Sequence, residues 1–537
     1  MTAHIIPVGE ARRRLHDGSE IALLDVREAG QFGEAHPLFA TPCPFSRLEI
    51  LAPRLMPRLT VPVLLLDAGD GVAEQAALRL AELGYTEISV IVGGMPAWAA
   101  AGFPVYKGVN VPSKTLGELA EQIWHPSILP PEQLAAWKAD GRDFRFFDAR
   151  PTDEYRKMRV PGAVCLPNGE LAHRLPAVVE PDETIVITCA GRTRGIIGAI
   201  GARLAGHQGS VLALENGTQG WALAGEALER GNTAAAFPAL SSAEAERTCA
   251  AAQSLMSRFR IDTIDNNEID GFLSDDATTT YLLDVRSVAE AEADVDPIPG
   301  AAHAPSGQLV QATDQWVAVR HARLILLDDL GLRAGLAAFW LRQLGYRPHV
   351  AIIDERMRRR AARNDAASPD QPFTLPSITP EDALRLCAAD SATFIDLGGS
   401  LAYRDSHVAG AIWLIRPKAG SVTDTIGARA ALLIADDRLV AELAAKEVRQ
   451  AGIEELQLVK GGHKALVDAG ARTVSTPDTP SDAEAIDHLF FVHDRHDGNL
   501  ESSRRYLAWE TGLIAQLDDV ERMEFRLEQS FGSSSIG

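Results

Sequence analysis

The sequence predicts an α/β protein: four tandem, doubly wound modules with parallel sheets, followed by a C-terminal helical tail. Three observations lead there. Strand-like apolar runs alternate with helix-like runs, and the apolar runs are continuous, as in strands buried on both faces. One pattern, an apolar strand ending in aspartate, recurs four times, which marks an internal repeat. The chain has 537 residues, 46% of them hydrophobic, which is too long for one core and enough for about three to five domains.

The elements follow in the same order in each copy. The aspartate strands are Leu23-Leu24-Asp25-Val26-Arg27, Phe146-Phe147-Asp148-Ala149-Arg150, Leu282-Leu283-Asp284-Val285-Arg286 and Phe394-Ile395-Asp396-Leu397-Gly398. A turn comes next: Val160-Pro161-Gly162-Ala163 in copy two, Ile298-Pro299-Gly300-Ala301 in copy three, Val408-Ala409-Gly410-Ala411 in copy four, and only His36-Pro37-Leu38 in copy one. The buried strands Val63–Leu66, Ile185–Thr188, Leu324–Leu327 and 431–434 follow, each leading into a helix with a glycine cap at Gly84, Gly206, Gly345 or Gly452. The last strand of copies one, two and four runs into Gly93-Gly94-Met95-Pro96-Ala97-Trp98, Asn216-Gly217-Thr218-Gln219-Gly220-Trp221 or Lys460-Gly461-Gly462-His463.

Each copy spans about 100 residues, an ordinary domain size. The expected modules are 1–108, 126–232, 259–360 and 374–475. Residues 109–125 read as a polar linker with helical character, 233–258 as an Ala/Ser/Glu-rich linker and 361–373 as a charged, Pro-containing one. The remainder, 476–537, begins as a linker. Tyr506, Leu507, Trp509, Leu513, Ile514, Leu517 and Val520 then fall near helical spacing and predict an amphipathic helix, a docking strip for a neighbouring module or for a second copy in a homodimer. Gly532-Ser533-Ser534-Ser535 is expected to be disordered.

The net charge is −21 at pH 7. Such an acidic chain is a poor candidate for nucleic-acid binding. No apolar run is long enough to span a bilayer. The stretch Met1-Thr2-Ala3-His4-Ile5-Ile6-Pro7 lacks the basic and apolar regions of a secretory signal, so the cytoplasm is the expected compartment. The five cysteines (Cys43, Cys165, Cys189, Cys249 and Cys387) include no CxxC and no Cys/His pair at metal spacing. A disulfide framework and a zinc site are both disfavoured.

One cysteine stands apart. Cys189-Ala190-Gly191-Arg192-Thr193-Arg194-Gly195 lies between the strand run Ile185–Thr188 and the small-residue helical run 196–202. A cysteine at a strand-to-helix turn beside arginines is expected to be a reactive thiolate. The small residues let backbone N–H groups converge on an anion. Without the glycines and arginines, Cys189 would read as a core cysteine.

The Asp-x-Arg strand end, the Pro-Gly-Ala turn, the cysteine loop and the Gly-x-x-Gly-Trp run together resemble the tandem rhodanese-domain proteins, the bacterial multi-domain rhodanese-related sulfurtransferases. The resemblance covers most of the chain. It implies a doubly wound fold per module and transfer of sulfane sulfur through a cysteine persulfide. Counting back 17 residues from each capping glycine gives Asp67 in copy one, Cys189 in copy two, Asp328 in copy three, and Ala435 (Asp436 with a one-residue deletion) in copy four. Only the second module is therefore expected to be catalytic. An aspartate at this position is expected to repel an anionic donor.

In this reading Cys189 is the nucleophile and persulfide carrier. Loop N–H groups from Ala190 to Gly195 cradle the sulfur as an oxyanion hole cradles oxygen. Arg192 and Arg194 supply a positive field, or else are solvated loop charges. A small donor such as thiosulfate or a thiol persulfide loads the cysteine, and a thiol or cyanide unloads it. No metal and no organic cofactor is implied. Asp148 and Arg150 read as a structural pair, because the same pair recurs in copies one and three, which lack the cysteine. Cys43 and Cys165 read as core, with a resolving role for Cys165 as the alternative. Trp98 and Trp221 are expected to pack the last helix on the sheet. His173 sits on an expected loop without a recognisable partner. Two rivals stand beside sulfur transfer. A cysteine phosphatase or arsenate reductase would need Cys-x5-Arg, but the sixth residue after Cys189 is Gly195. A scaffold or persulfide carrier would explain three modules without the cysteine.

Overall fold

The computed structural model describes residues 3–294, 297–360, 374–421, 426–427, 429–493 and 499–528. The expected linker at 361–373 and the expected disorder at Gly532–Ser535 lie outside the described residues. Four mainly parallel sheets follow one another along the chain with one shared strand order. In the second sheet that order is Ser127–Leu129, Val211–Leu214, Ile185–Thr188, Arg145–Asp148, Val164–Cys165. The first runs His4–Ile6, Ile88–Ile91, Val63–Leu66, Ile21–Asp25, with Thr41–Pro42 on the last strand. The fourth runs Ser377–Ile378, Leu456–Val459, Ala430–Ile434, Ala392–Asp396, Ile412–Trp413. The third has Arg347–Ile352, Arg323–Asp328, Thr280–Asp284 and Ala302–His303, and a single bridge from Thr263 to Val350 stands where the others have an entry strand.

The continuous apolar runs become fully buried strands, covered by helices on both faces, as parallel sheets require. The capping glycines Gly84, Gly206, Gly345 and Gly452 all take positive φ, the left-handed conformation that ends these helices. Trp98 and Trp221 are buried at matching positions, and their indole N–H groups donate to Pro104 O at 3.1 Å and Ala227 O at 3.0 Å. Among the described residues no helix is long and apolar enough to cross a membrane.

Several connecting segments carry more structure than the sequence suggested. Residues 109–125 have the helical character expected of them, but as a buried packing element rather than a linker. They form helix Val111–Trp124, which packs against helix Thr193–Leu204 and is buried over most of its first half. Gly117 allows this approach, since a Cβ there would lie 2.7 Å from Thr193 Cγ2. Most of the second linker lies in helix Ser242–Phe259, which packs on helix Leu332–Gln343. The tail is not one helix. Leu500–Thr511, Leu513–Gln516 and Asp519–Glu524 are separate, broken at Gly512 and at the extended Leu517. Their apolar residues still meet the chain's own core: Tyr506, Leu507, Leu513 and Leu517 are buried, while Val520 is exposed.

The sheets are joined through buried ions. Arg416 bonds Glu49 of the first unit and Glu447 of its own. Arg79 bonds the same Glu447 at 3.0 Å. Arg333, wholly buried, bonds Asp328 at 2.9 Å and reaches across to Glu170 at 2.9 Å. Val319–Arg320, from the third unit, adds antiparallel to the first sheet's Ile21–Asp25. The tail closes the arrangement through Arg12–Asp518 and Arg320–Glu524.

Candidate active site

Strand Ile185–Thr188 delivers Cys189 to the carboxyl end of its sheet, where helix Thr193–Leu204 begins. The loop between them is pinned at its carbonyls. Thr218 N–H donates to Cys189 O at 2.8 Å, and Gln219 N–H donates to Ala190 O at 3.1 Å. Gly217, at φ +53°, makes this possible, because any Cβ there would strike Cys189 O. The same fixture occurs where Met95 N–H donates to Asp67 O at 2.8 Å beside Gly94. The sequence offered the Gly-x-x-Gly-Trp run as the signal for it.

The N–H groups of Gly195 and Gly191 point at Cys189 Sγ and favour its anion, as does the Arg194 guanidinium. Burial outweighs them: Cys189 is 2% exposed, and its thiol is pushed above the ordinary range, first by desolvation and then by the nearby Glu510 carboxylate. Burial thus works against the thiolate expected from the loop's arginines and glycines.

The two loop arginines separate. Arg194 is half-buried and doubly bonded to Glu154, at 2.6 and 2.8 Å, and its cation acts on the sulfur. Asn168 Nδ2 holds the Arg194 carbonyl at 2.8 Å. Arg192 does not supply the positive field expected of it. Its guanidinium turns to helix Val111–Trp124, where Glu118 (2.7 Å) and Glu121 bind it. Burial, with Glu510 and Glu121 nearby, holds Glu118 up at about 7 despite these bonds. Thr193 donates its hydroxyl to Glu510 Oε1 at 2.9 Å. Asp148 and Arg150 form a buried two-point pair beneath the loop (2.9 and 2.7 Å), and Asp25–Arg27 and Asp284–Arg286 repeat it. Cys165 is buried, with its thiol pushed up to about 12 mainly by burial, and Cys43 is buried likewise.

The sister loops explain the aspartates. Asp67 sits in its own cradle: Gly69, Gly71 and Ala73 N–H groups donate to its carboxylate at 2.8, 3.1 and 3.1 Å. Asp328 takes N–H groups from Asp329, Arg333 and Ala334 at 3.0, 3.0 and 3.3 Å. In the fourth unit, Leu397 N–H donates to Ile434 O just as Ala149 N–H donates to Thr188 O. That register puts Ala435, not Asp436, at the cysteine position. His173 lies within helix Glu170–Val178, not on a loop. It stands close to Asp328 and Asp329 with a buried, unpartnered Nδ1, but Arg333 already binds both carboxylates. Burial first, then Arg333, depresses its pKa.

Comparison with known proteins identifies the fold. The rhodanese-like domain family matches residues 8–101 and 130–224. The crystal structure of thiosulfate sulfurtransferase from Pseudomonas aeruginosa is 35% identical, covering 96% of this chain and 99% of its own, with a TM-score of 0.88. A rhodanese-like domain from Anabaena sp. is 26% identical over 20% of this chain and 80% of its own, with a TM-score of 0.19. No curated protein matches the chain. The chain belongs to the rhodanese family, as a tandem of rhodanese-like modules.

Proposed function

We propose that the chain is a sulfurtransferase that moves sulfane sulfur from a small donor to a thiol or cyanide through a persulfide on Cys189. The observation that carries this reading is the convergence of the Gly191 and Gly195 N–H groups on Cys189 Sγ at a helix start. An anionic sulfur there gains from aligned N–H dipoles, as the oxyanion of acyl transfer does. The likeness to the Pseudomonas aeruginosa thiosulfate sulfurtransferase supports the same chemistry.

The cycle has two halves. Cys189 thiolate attacks the outer sulfur of the donor, the donor's S–S bond breaks, and sulfite leaves from thiosulfate or a thiolate from a thiol persulfide. An acceptor thiolate or cyanide then attacks the outer sulfur of the persulfide, and Cys189 leaves as thiolate. Arg194 and the loop N–H groups hold the negative sulfur in both halves. Ala190 and Gly191 line the approach, Thr193 and Gly195 open the helix, and Asp148–Arg150 supports the loop from below. Arg192 acts as a tie to helix Val111–Trp124. No step uses a metal or organic cofactor. The module at 126–232 does the chemistry, and those at 1–108, 259–360 and 374–475 serve packing. The reading takes the cytoplasm as the compartment.

The test is direct. Wild type and Cys189→Ser are incubated with thiosulfate or glutathione persulfide, followed by intact mass and cyanide-dependent thiocyanate release. Wild type gains one sulfur and releases thiocyanate, and the variant does neither. No sulfur gain with any donor would replace the enzyme reading with the scaffold reading. Turnover of p-nitrophenyl phosphate that depends on Cys189 would replace it with a phosphatase.

A further inference from the structure

The lid over Cys189 comes from the far end of the chain. Helix Leu500–Thr511 lies across the loop, and it brings Glu510 to the Thr193 hydroxyl. Glu510 is 2% exposed, and its second oxygen, Oε2, is buried with no hydrogen-bond partner. Beside it, Gln219 is 7% exposed, and both its amide oxygen and its amide nitrogen are also unpartnered. The two side chains meet over Gly191: a Cβ on that glycine would lie 2.9 Å from Glu510 Oε2 and 3.5 Å from Gln219 Nε2. Buried polar atoms without partners are costly and uncommon, and here a free acceptor and a free donor converge beside the residue whose N–H faces the cysteine sulfur. Arg192 feels the Glu510 charge but gives its hydrogen bonds to Glu118 and Glu121. Arg194 is likewise bound by Glu154.

We propose that Glu510 is the specificity-determining residue of the Cys189 site, selecting thiol persulfides over dianionic donors such as thiosulfate. This rests on the sulfur-transfer reading. In this proposal a substrate approaches Cys189 past Glu510 at Gly191. A dianion there meets a fixed negative charge in a poorly solvated place, where like charges repel far more than in water. A persulfide or thiol S–H instead offers Glu510 Oε2 the hydrogen it lacks, and Gln219 Nε2 can donate to the same group.

Charge selection at Cys189 is measurable without any donor. In the wild-type chain, Cys189 alkylation is followed by peptide mass with neutral iodoacetamide and anionic iodoacetate. Relative to free cysteine, the anionic reagent is disfavoured at least about tenfold, and Glu510→Gln removes most of that bias. With donors, Glu510→Gln raises the thiosulfate-to-glutathione-persulfide ratio of kcat/KM about tenfold, while Glu510→Asp, which keeps the charge, stays near wild type. An alkylation ratio in wild type equal to that of free cysteine overturns the proposal, whatever the variants do. So does an unchanged donor ratio in a folded Glu510→Gln. If the alkylation bias is present but no donor loads Cys189, the assignment of donors falls together with the sulfur-transfer reading, and the charge filter alone survives.

Discussion

In the first module, N–H groups from Gly69, Gly71 and Ala73 converge on the Asp67 carboxylate. In the second, those from Gly191 and Gly195, the second and sixth residues after Cys189 as Gly69 and Ala73 are after Asp67, converge on the Cys189 sulfur. The backbone cradle is common to both, and the anion differs. In the first module the acceptor is a side-chain carboxyl of the chain itself; in the second an anion forms only when a thiol loses its proton. An aspartate in this position therefore does more than repel a donor. It satisfies the loop N–H groups that would otherwise be buried unpaired. The third module goes further and turns its filled loop outward. Arg333, five residues after Asp328 as Arg194 is after Cys189, binds Glu170 of the second module. In the proposed function one loop keeps its cradle for chemistry, while a sister loop uses the same frame as a joint.

The largest expected difference between the two loops is functional. Cys189→Ser lowers sulfur transfer by at least about a thousandfold, roughly 4 kcal/mol of barrier, measured as thiocyanate release. Asp67→Ala leaves that activity within a fewfold of wild type and costs about 2–4 kcal/mol of stability, because three N–H groups lose a charged acceptor; denaturant unfolding measures it. Equal activity losses for the two variants would break the comparison.

A smaller effect is expected at the brace behind the active loop. Gly117→Ala adds a Cβ 2.7 Å from Thr193 and costs about 1–2 kcal/mol net of the better helix propensity. The change should loosen Thr193 from Glu510 and speed Cys189 alkylation. The smallest concerns pH. The Cys189 thiol is raised by burial and lowered by Arg194, so Arg194→Met moves the alkylation midpoint to higher pH by up to about one pH unit. The sign also governs stability. A folded-state thiol pKa above the unfolded value of about 8.5 means the neutral thiol's contribution is full below that pH and is lost as pH rises through the folded value.

Much of the fold was legible because a parallel sheet writes itself as continuous apolar runs. Asp25, Asp148, Asp284 and Asp396 end four such runs, and the strands stand where those runs are. The cysteine loop was legible for the same local reason: strand, small residues and helix are adjacent in sequence. What the sequence hid was long-range. Glu510 bonds a residue 317 positions away, and Arg192 bonds one 74 positions away. Neither partner has a local pattern that announces it. The tail that meets the loop at Gly191 and Thr193 has an apolar spacing that read as one helix, although Gly512 and Leu517 divide it. Residues 109–125 read as polar because Ser113, Lys114, Thr115 and Glu118 are polar, yet all four are buried against neighbouring units.

The central claim is that one of four related loops carries sulfur. Intact mass of the full chain after exposure to glutathione persulfide, with peptide mapping, tests it most directly. The account predicts one added sulfur per chain, on Cys189, abolished by Cys189→Ser and untouched by Asp67→Ala. Sulfur on Cys43, Cys165, Cys249 or Cys387 instead, or sulfur gain that persists in Cys189→Ser, would contradict it.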